Sequence, residues 1–111
     1  MGARRVSAIW GGAERDVLTV LPLSRPGAYG ADPSDRDDRL VLYRRLDDRG
    51  EATGEVVGVE IDGFPDFDRW EALPALAELW QLLDREPVPP TDLLRRLLEE
   101  LGAQGRVATP A

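Results

Sequence analysis

The chain has 111 residues, 42% hydrophobic and 32% charged, with a formal net charge of −7 and a sequence pI near 4.5. That length supports one domain with one modest core, and the acidic field repels a phosphate backbone, so direct nucleic-acid binding is not expected. Histidine, cysteine and lysine are absent, which removes imidazole bases, thiolate nucleophiles, Schiff-base amines, the P-loop lysine and Cys/His metal sites together.

No apolar run reaches the ~18 residues that a membrane span needs. The opening "MGARRVSAIWGG" lacks the apolar core of a signal peptide. The expected setting is cytoplasmic, with no membrane partner.

The first predicted strand, Arg4 to Trp10, alternates Val6, Ala8 and Trp10 against Arg5, Ser7 and Ile9. Gly11-Gly12 signals a turn. A second strand from Arg15 to Leu23 completes a hairpin and ends near Pro22, which has no N–H for a ladder. Ser24 to Asp38 reads as a long loop, rich in Pro, Gly and Asp. Arg39 to Leu46 is the third strand, Asp47 to Gly54 a turn, and Glu55 to Ile61 the fourth strand.

Past Phe64 the apolar period lengthens toward that of a helix. Asp66 or Asp68 is the expected N-cap, and Pro74 opens a second helix reaching about Arg85. "PVPP", Pro87 to Pro90, is a stiff break. "TDLLRRLLEELG" is the clearest helix, capped by Thr91, stopped by Gly102, and striped by Leu93, Leu94, Leu97, Leu98 and Leu101.

These elements predict an α+β fold: a four-stranded antiparallel meander followed by two or three helices packed on one face. The domain spans 1–111, with a sheet region 5–64, a helical region 66–102 and a flexible tail 103–111. The expected core is Val6, Ala8, Leu18, Val20, Leu40, Leu42, Val57, Val59, Ile61, Trp70, Leu73, Leu76, Leu83, Leu94, Leu97 and Leu101.

Glu60 is the carboxylate that most needs an account. In a regular strand Val57, Val59 and Ile61 face one way, and Val56, Gly58, Glu60 and Asp62 the other. Arg44 or Arg45 is then its expected cross-strand partner, a structural pairing of about 0.2–1 kcal/mol. Gly58 marks a bulge or a close approach. Asp32, Asp35, Asp37 and Asp38, with Asp62, Asp66 and Asp68, offer hard oxygen ligands, but no calcium-loop pattern joins them. Ser7, Ser24 and Ser34 lack a nucleophile-elbow context. No catalytic, cofactor-binding or metal-binding residue is assigned.

The apolar helices are the better lead. Trp70, Trp80, Leu94, Leu97, Leu98 and Leu101 form the candidate interface, for a second copy or another protein.

"VSAIWGGAERDVLTV" (Val6 to Val20), the Asp47 to Gly50 turn and "VVGVEI" (Val56 to Ile61) resemble the small bacterial family called domain of unknown function 2283. Its members open on a strand ending in Tyr-Asp and close on Asp-x-x-Gly followed by Val-Gly-Ile-Glu-Ile. Gly58, Glu60 and Ile61 stand in that closing signature. Trp10-Gly11 replaces Tyr-Asp, and "EATG" intervenes before the last strand. The resemblance covers about residues 5–64. It implies a small antiparallel sheet, no established activity and antitoxin-like roles.

The leading expectation is therefore a non-enzymatic interaction domain, a homodimer without cofactors, acting as an antitoxin-like partner of a basic protein. One alternative is a small enzyme or metal-binding protein using Asp and Glu alone. Another is a ligand pocket between sheet and helices, floored by Gly58 and walled by Trp70 or Trp80.

Overall fold

A computed structural model describes residues 3–11, 16–24, 27–74, 76 and 78–103, the last three by backbone alone. Six strands, β1 (Arg4–Trp10), β2 (Val17–Pro22), β3 (Tyr29–Pro33), β4 (Leu40–Leu46), β5 (Ala52–Asp62) and β6 (Trp80–Leu82), form one sheet in the order β3-β4-β5-β2-β1-β6. Every pairing is antiparallel except β1 with β6, which is parallel. One α-helix, α1 (Pro90–Ala103), closes the described chain.

This corrects the expected four-stranded meander with two or three helices. The β1–β2 hairpin and the antiparallel β4–β5 pair form as expected. The neighbour of β2, however, is β5 and not β4: Leu18 lies opposite Ile61 and Val20 opposite Val59. The strand with the longest buried run, β5, thus takes the centre of the sheet, with partners on both sides.

Two further strands come from segments with other expected states. Tyr29 to Pro33, in the expected loop, pairs with Val41 to Arg45 and protects the outer edge of β4. Trp80 to Leu82, in the expected second helix, lies beside Arg4 to Val6. The prolines explain the lost helix. Leu73 precedes Pro74 and is extended at φ −78°, ψ 130°, the backbone that a following proline ring favours. Only two short 3-10 turns form before it, Phe64–Asp66 and Trp70–Ala72. Their N-caps are Gly63 and Arg69 rather than Asp66 or Asp68. The Trp80 and Val88 backbones exchange two hydrogen bonds of 2.8 and 2.9 Å, closing a small hairpin around Asp84 to Pro87. Tertiary pairing overrides the helix propensity of its Ala, Leu and Glu residues.

One face of the sheet carries the core. Val6, Leu18, Val20, Leu40, Leu42, Val59, Ile61, Trp80 and Leu82 alternate onto it and are buried. Phe64 and Phe67 from the first turn region, Ala72 from the second, and Leu93 and Leu94 from α1 cover them. Burying such side chains contributes about 1.5–3 kcal/mol each. The leucine stripe is spent here: Leu93 and Leu94 are inside, and Leu97 and Leu98 pack half-buried against the cluster.

Nine of the sixteen expected core residues are buried, eight of them in the core cluster, and two points need correction. Leu83 is exposed, because it ends β6 in a turn with φ 53°. The even alternation across Val56 and Val57 also fails. The register slips between Tyr43 and Arg44, so Arg44 faces Val56 while Tyr43 faces Gly58. Val56 therefore joins the core cluster, and Val57 is buried outside it. This is the bulge that Gly58 signalled. The expected tail from residue 104 onward, the Gly12 position of the first turn and the Leu101 side chain lie outside the described residues.

A Cβ at Gly58 would overlap the Val20 carbonyl oxygen and press on Leu21. Gly58→Ala is expected to destabilise by about 1–3 kcal/mol, and Phe64→Ala by about 3–5 kcal/mol. Urea unfolding followed by tryptophan fluorescence measures both.

Candidate functional site: an uncovered sheet face and an edge cleft

No described element covers the other face of the sheet. The residues that alternate with the core point there: Arg5, Ser7 and Ile9 from β1, Val17, Thr19 and Leu21 from β2, Glu60 and Asp62 from β5, Val41, Tyr43 and Arg45 from β4, and Tyr29 and Ala31 from β3. Ser7 faces Leu21, Leu21 neighbours Gly58, and Gly58 faces Tyr43, so one row crosses the sheet.

The exposed large hydrophobic side chains among the described residues are Ile9 (58%), Leu23 (48%), Leu79 (43%) and Leu83 (54%). Ile9 and Leu23 stand on this face, and Leu79 and Leu83 flank the three-residue β6 at its border. Ile9 projects from β1. Leu23 continues β2, its N–H donating to the Arg5 carbonyl at 2.9 Å. Leu79 immediately precedes β6, and Leu83 follows it in a turn with φ 53°. Single exposed hydrophobic side chains are ordinary; these four lie on or at the border of a bare sheet face. A shallow depression of about 220 Å³ lies beside Ile9, lined by Ile9, Gly11, Val17, Thr19 and Glu60.

The rest of the face is aromatic and polar. Tyr29 and Tyr43 meet edge to face with ring centroids 6.1 Å apart. The Tyr43 hydroxyl donates to Glu60 Oε1 at 2.9 Å. Glu60 therefore pairs with Tyr43, not with Arg44 or Arg45, because the register sets Glu60 opposite Val41. The arginines are engaged elsewhere: Arg44 Nε holds Asp32 Oδ2 and Arg45 Nε holds Glu55 Oε1, both at 2.7 Å. Desolvation first, and the bond to the Glu60 carboxylate second, push the Tyr43 phenol up to about 12.

A separate cleft of about 650 Å³ opens at the β3–β4 edge. Asp32, Ser34, Asp35, Arg36 and Arg44 line its polar side, and Leu42, Leu73 and Pro74 its apolar side. Chemically it is quiet. Arg44 is tied to Asp32, and the Arg36 N–H donates to Ser34 Oγ at 3.0 Å. Asp37 is turned away from the cleft chemistry by its own arginine. It accepts from the Arg39 N–H at 2.9 Å and from Arg39 Nε and Nη2 at 3.0 and 2.8 Å. That hydrogen bonding lowers its carboxyl from the ordinary 3.8 to about 2. Among the described residues no three carboxylates gather as a metal site.

The sequence-derived candidates scatter. Trp80 and Leu94 are fully inside the core. Leu97 and Leu98 lean on it, and Trp70 is half-buried, edge to face with Phe67 at 5.0 Å and covered by Arg95 at 4.7 Å. Ile61 is a core residue, whereas Gly58 and Glu60 belong to the opposite side. Gly58 and Trp80 are thus on opposite faces and do not frame a common pocket. The space between sheet and helix, beside Leu42, Val59, Pro90 and Leu94, amounts to about 10 Å³. The bare-face set Ile9, Leu23, Leu79 and Leu83 was missed. The alternation of β1 already carried the signal for Ile9, and Leu23 lay in the expected second strand; Leu79 and Leu83 depended on β6 being a strand.

No family model, no curated protein and no solved structure matches the chain.

Two titrations check this electrostatic picture. The chain has two tyrosines; one should ionise late, near 12, and Tyr43→Phe should remove that late phenolate absorbance step. Because the folded phenol holds its proton more tightly than the unfolded one, stability should fall as pH rises from about 10 to 12. Asp37 has the opposite sign. Its lowered value stabilises the fold above the ordinary carboxylate range, and that contribution disappears as pH falls from about 4 to 2. Asp37→Asn should therefore melt a few degrees below wild type at pH 7, with the two curves converging near pH 2 by circular dichroism.

Proposed function

We propose that the protein is a non-catalytic interaction domain whose working surface is the uncovered face of the sheet. The observation that carries this is the exposure of Ile9 and Leu23 on that face and of Leu79 and Leu83 on either side of the bordering β6, each close to half exposed or more. The leucine stripe of α1, the other candidate surface, is largely occupied by the protein's own core.

The chemistry of the side chains supports the same reading. Activated nucleophiles need an adjacent base, and general acids or bases need a value near the working pH. The clear carboxylate shifts, at Asp37, Asp47, Glu55 and Glu71, are all downward, led by hydrogen bonds from arginines or turn N–H groups. Such groups are fixed anions, suited to holding structure rather than moving protons. The resemblance over residues 5–64 adds an antitoxin-like role as the biological setting.

A photo-crosslinking amino acid placed at Ile9, with a control at the exposed Asp48, tests the surface in living cells. Protein adducts are expected from position 9 and not from position 48. Equal yields from both, or none from position 9, would count against the reading.

A further inference from the structure

We infer that the occupant of this face is a second copy of the same chain, packed sheet against sheet. The inference rests on reading the face as an interaction surface. Four observations select the partner.

The first is charge. The chain carries −7 overall, yet the regular strand positions of this face hold two arginines, Arg5 and the Glu55-paired Arg45, and two carboxylates, Glu60 and Asp62. Arg5 and Arg45 lie toward one end of the strands, and Glu60 and Asp62 toward the other. A basic partner would be drawn to the acidic loops, such as Asp32 to Asp38, rather than here. A two-fold axis across the strands sets the arginine end of one copy over the carboxylate end of its mate, so the face complements itself.

The second is area. Six strands about 4.8 Å apart and about five residues long present on the order of 500 Å². Two such faces bury on the order of 1,000 Å², the threshold of a specific interface. Aligned sheets pack about 10 Å apart at about 30°, which leaves room for Ile9, Leu21 and Leu23 to interdigitate.

The third is the state of the edges. β3 ends in Pro33, which has no N–H to donate, and β6 has only three residues. Both make poor templates for strand addition, so the face is the better route to pairing.

The fourth is Leu83. A leucine at φ 53° is a strained residue, and within one chain its side chain gains little burial for that strain. Next to β6 at the border of the face, it is within reach of a second sheet, which would bury it.

Light scattering coupled to size exclusion, across a dilution series of the full chain, reads the outcome. Wild type should run at twice its 12.3 kDa at about 100 µM chain and dissociate on dilution. Ile9→Asp should weaken association at least tenfold. Leu83→Gly relieves the backbone strain, so it should keep or raise the melting temperature of the dilute chain while weakening the dimer several-fold. It keeps the test decisive if Ile9→Asp fails to fold. A wild-type dimer indifferent to both substitutions overturns the inference, because another surface then makes it. A wild type that stays monomeric at about 100 µM also overturns it. If position 9 then crosslinks to a different protein, the interaction reading survives without the second copy. If position 9 crosslinks to nothing, both fall.

Discussion

The sheet is organised by β5, and β5 works only because its alternation breaks. It has to pair with β4 on one side and β2 on the other while keeping apolar side chains turned toward the helix. From Ile61 back to Val59 the normal pleat does this. Beyond Gly58 a strict period of two would aim Val57 inward and Val56 outward. The slip opposite Tyr43 and Arg44 reverses that order and delivers Val56 to the core. At that point the strand passes so close to the Val20 carbonyl that no side chain fits at position 58. A residue that looks like a gap in the sequence is thus the condition for a continuous core and for a central strand bonded on both edges.

Much of this was legible in the residues, and the part that was not has physical reasons. Local periodicity located the β1–β2 hairpin, β4, β5 and α1, since each has an unambiguous pattern and a clear stop. It could not order the strands, because antiparallel neighbours are chosen by which apolar faces match, not by chain adjacency. It could not see β3, where "YGADP" has little apolar signal and pairs because β4 offers an edge. It misread 76–85, whose Leu, Ala and Glu residues favour a helix. There Pro74 and the Trp80–Val88 bridge decide for a strand. The candidate interface failed for a related reason. Trp80 and Leu94 looked surplus only while two fewer strands were counted; a six-stranded sheet needs them as cover.

β6 shows what that cover costs. Trp80 is wholly buried, yet its indole N–H has no hydrogen-bond partner among the described residues, an arrangement worth about 1–3 kcal/mol against folding. Leu83, three residues on, is strained. Burial of the Trp80 and Leu82 side chains, the parallel bonds to β1 and the Arg85 guanidinium held by both carboxylate oxygens of Glu100 offset these losses. The short strand therefore ties the C-terminal helix to the N-terminal strand, and the bare face gains the Leu79 and Leu83 side chains at its border. Without β6, Ile9 would be an isolated apolar residue on an edge strand, which has no special meaning.

The distribution of charge then limits how far association can go. The uncovered face is nearly balanced, whereas the acidic surplus sits in the loops around Asp32 to Asp38 and Asp47 to Glu51 and along the outer side of α1. Two copies meeting through the balanced face gain apolar burial with little net repulsion at contact. A third copy would find that face already covered. It would meet two poor strand edges and an acidic exterior, whose repulsion is screened only beyond about 8 Å at physiological salt. A face used once by each partner closes the assembly, whereas a head-to-tail contact would propagate it. In the pair proposed above, one-sided burial, which leaves a sheet half dressed, would end in a closed assembly rather than an aggregate.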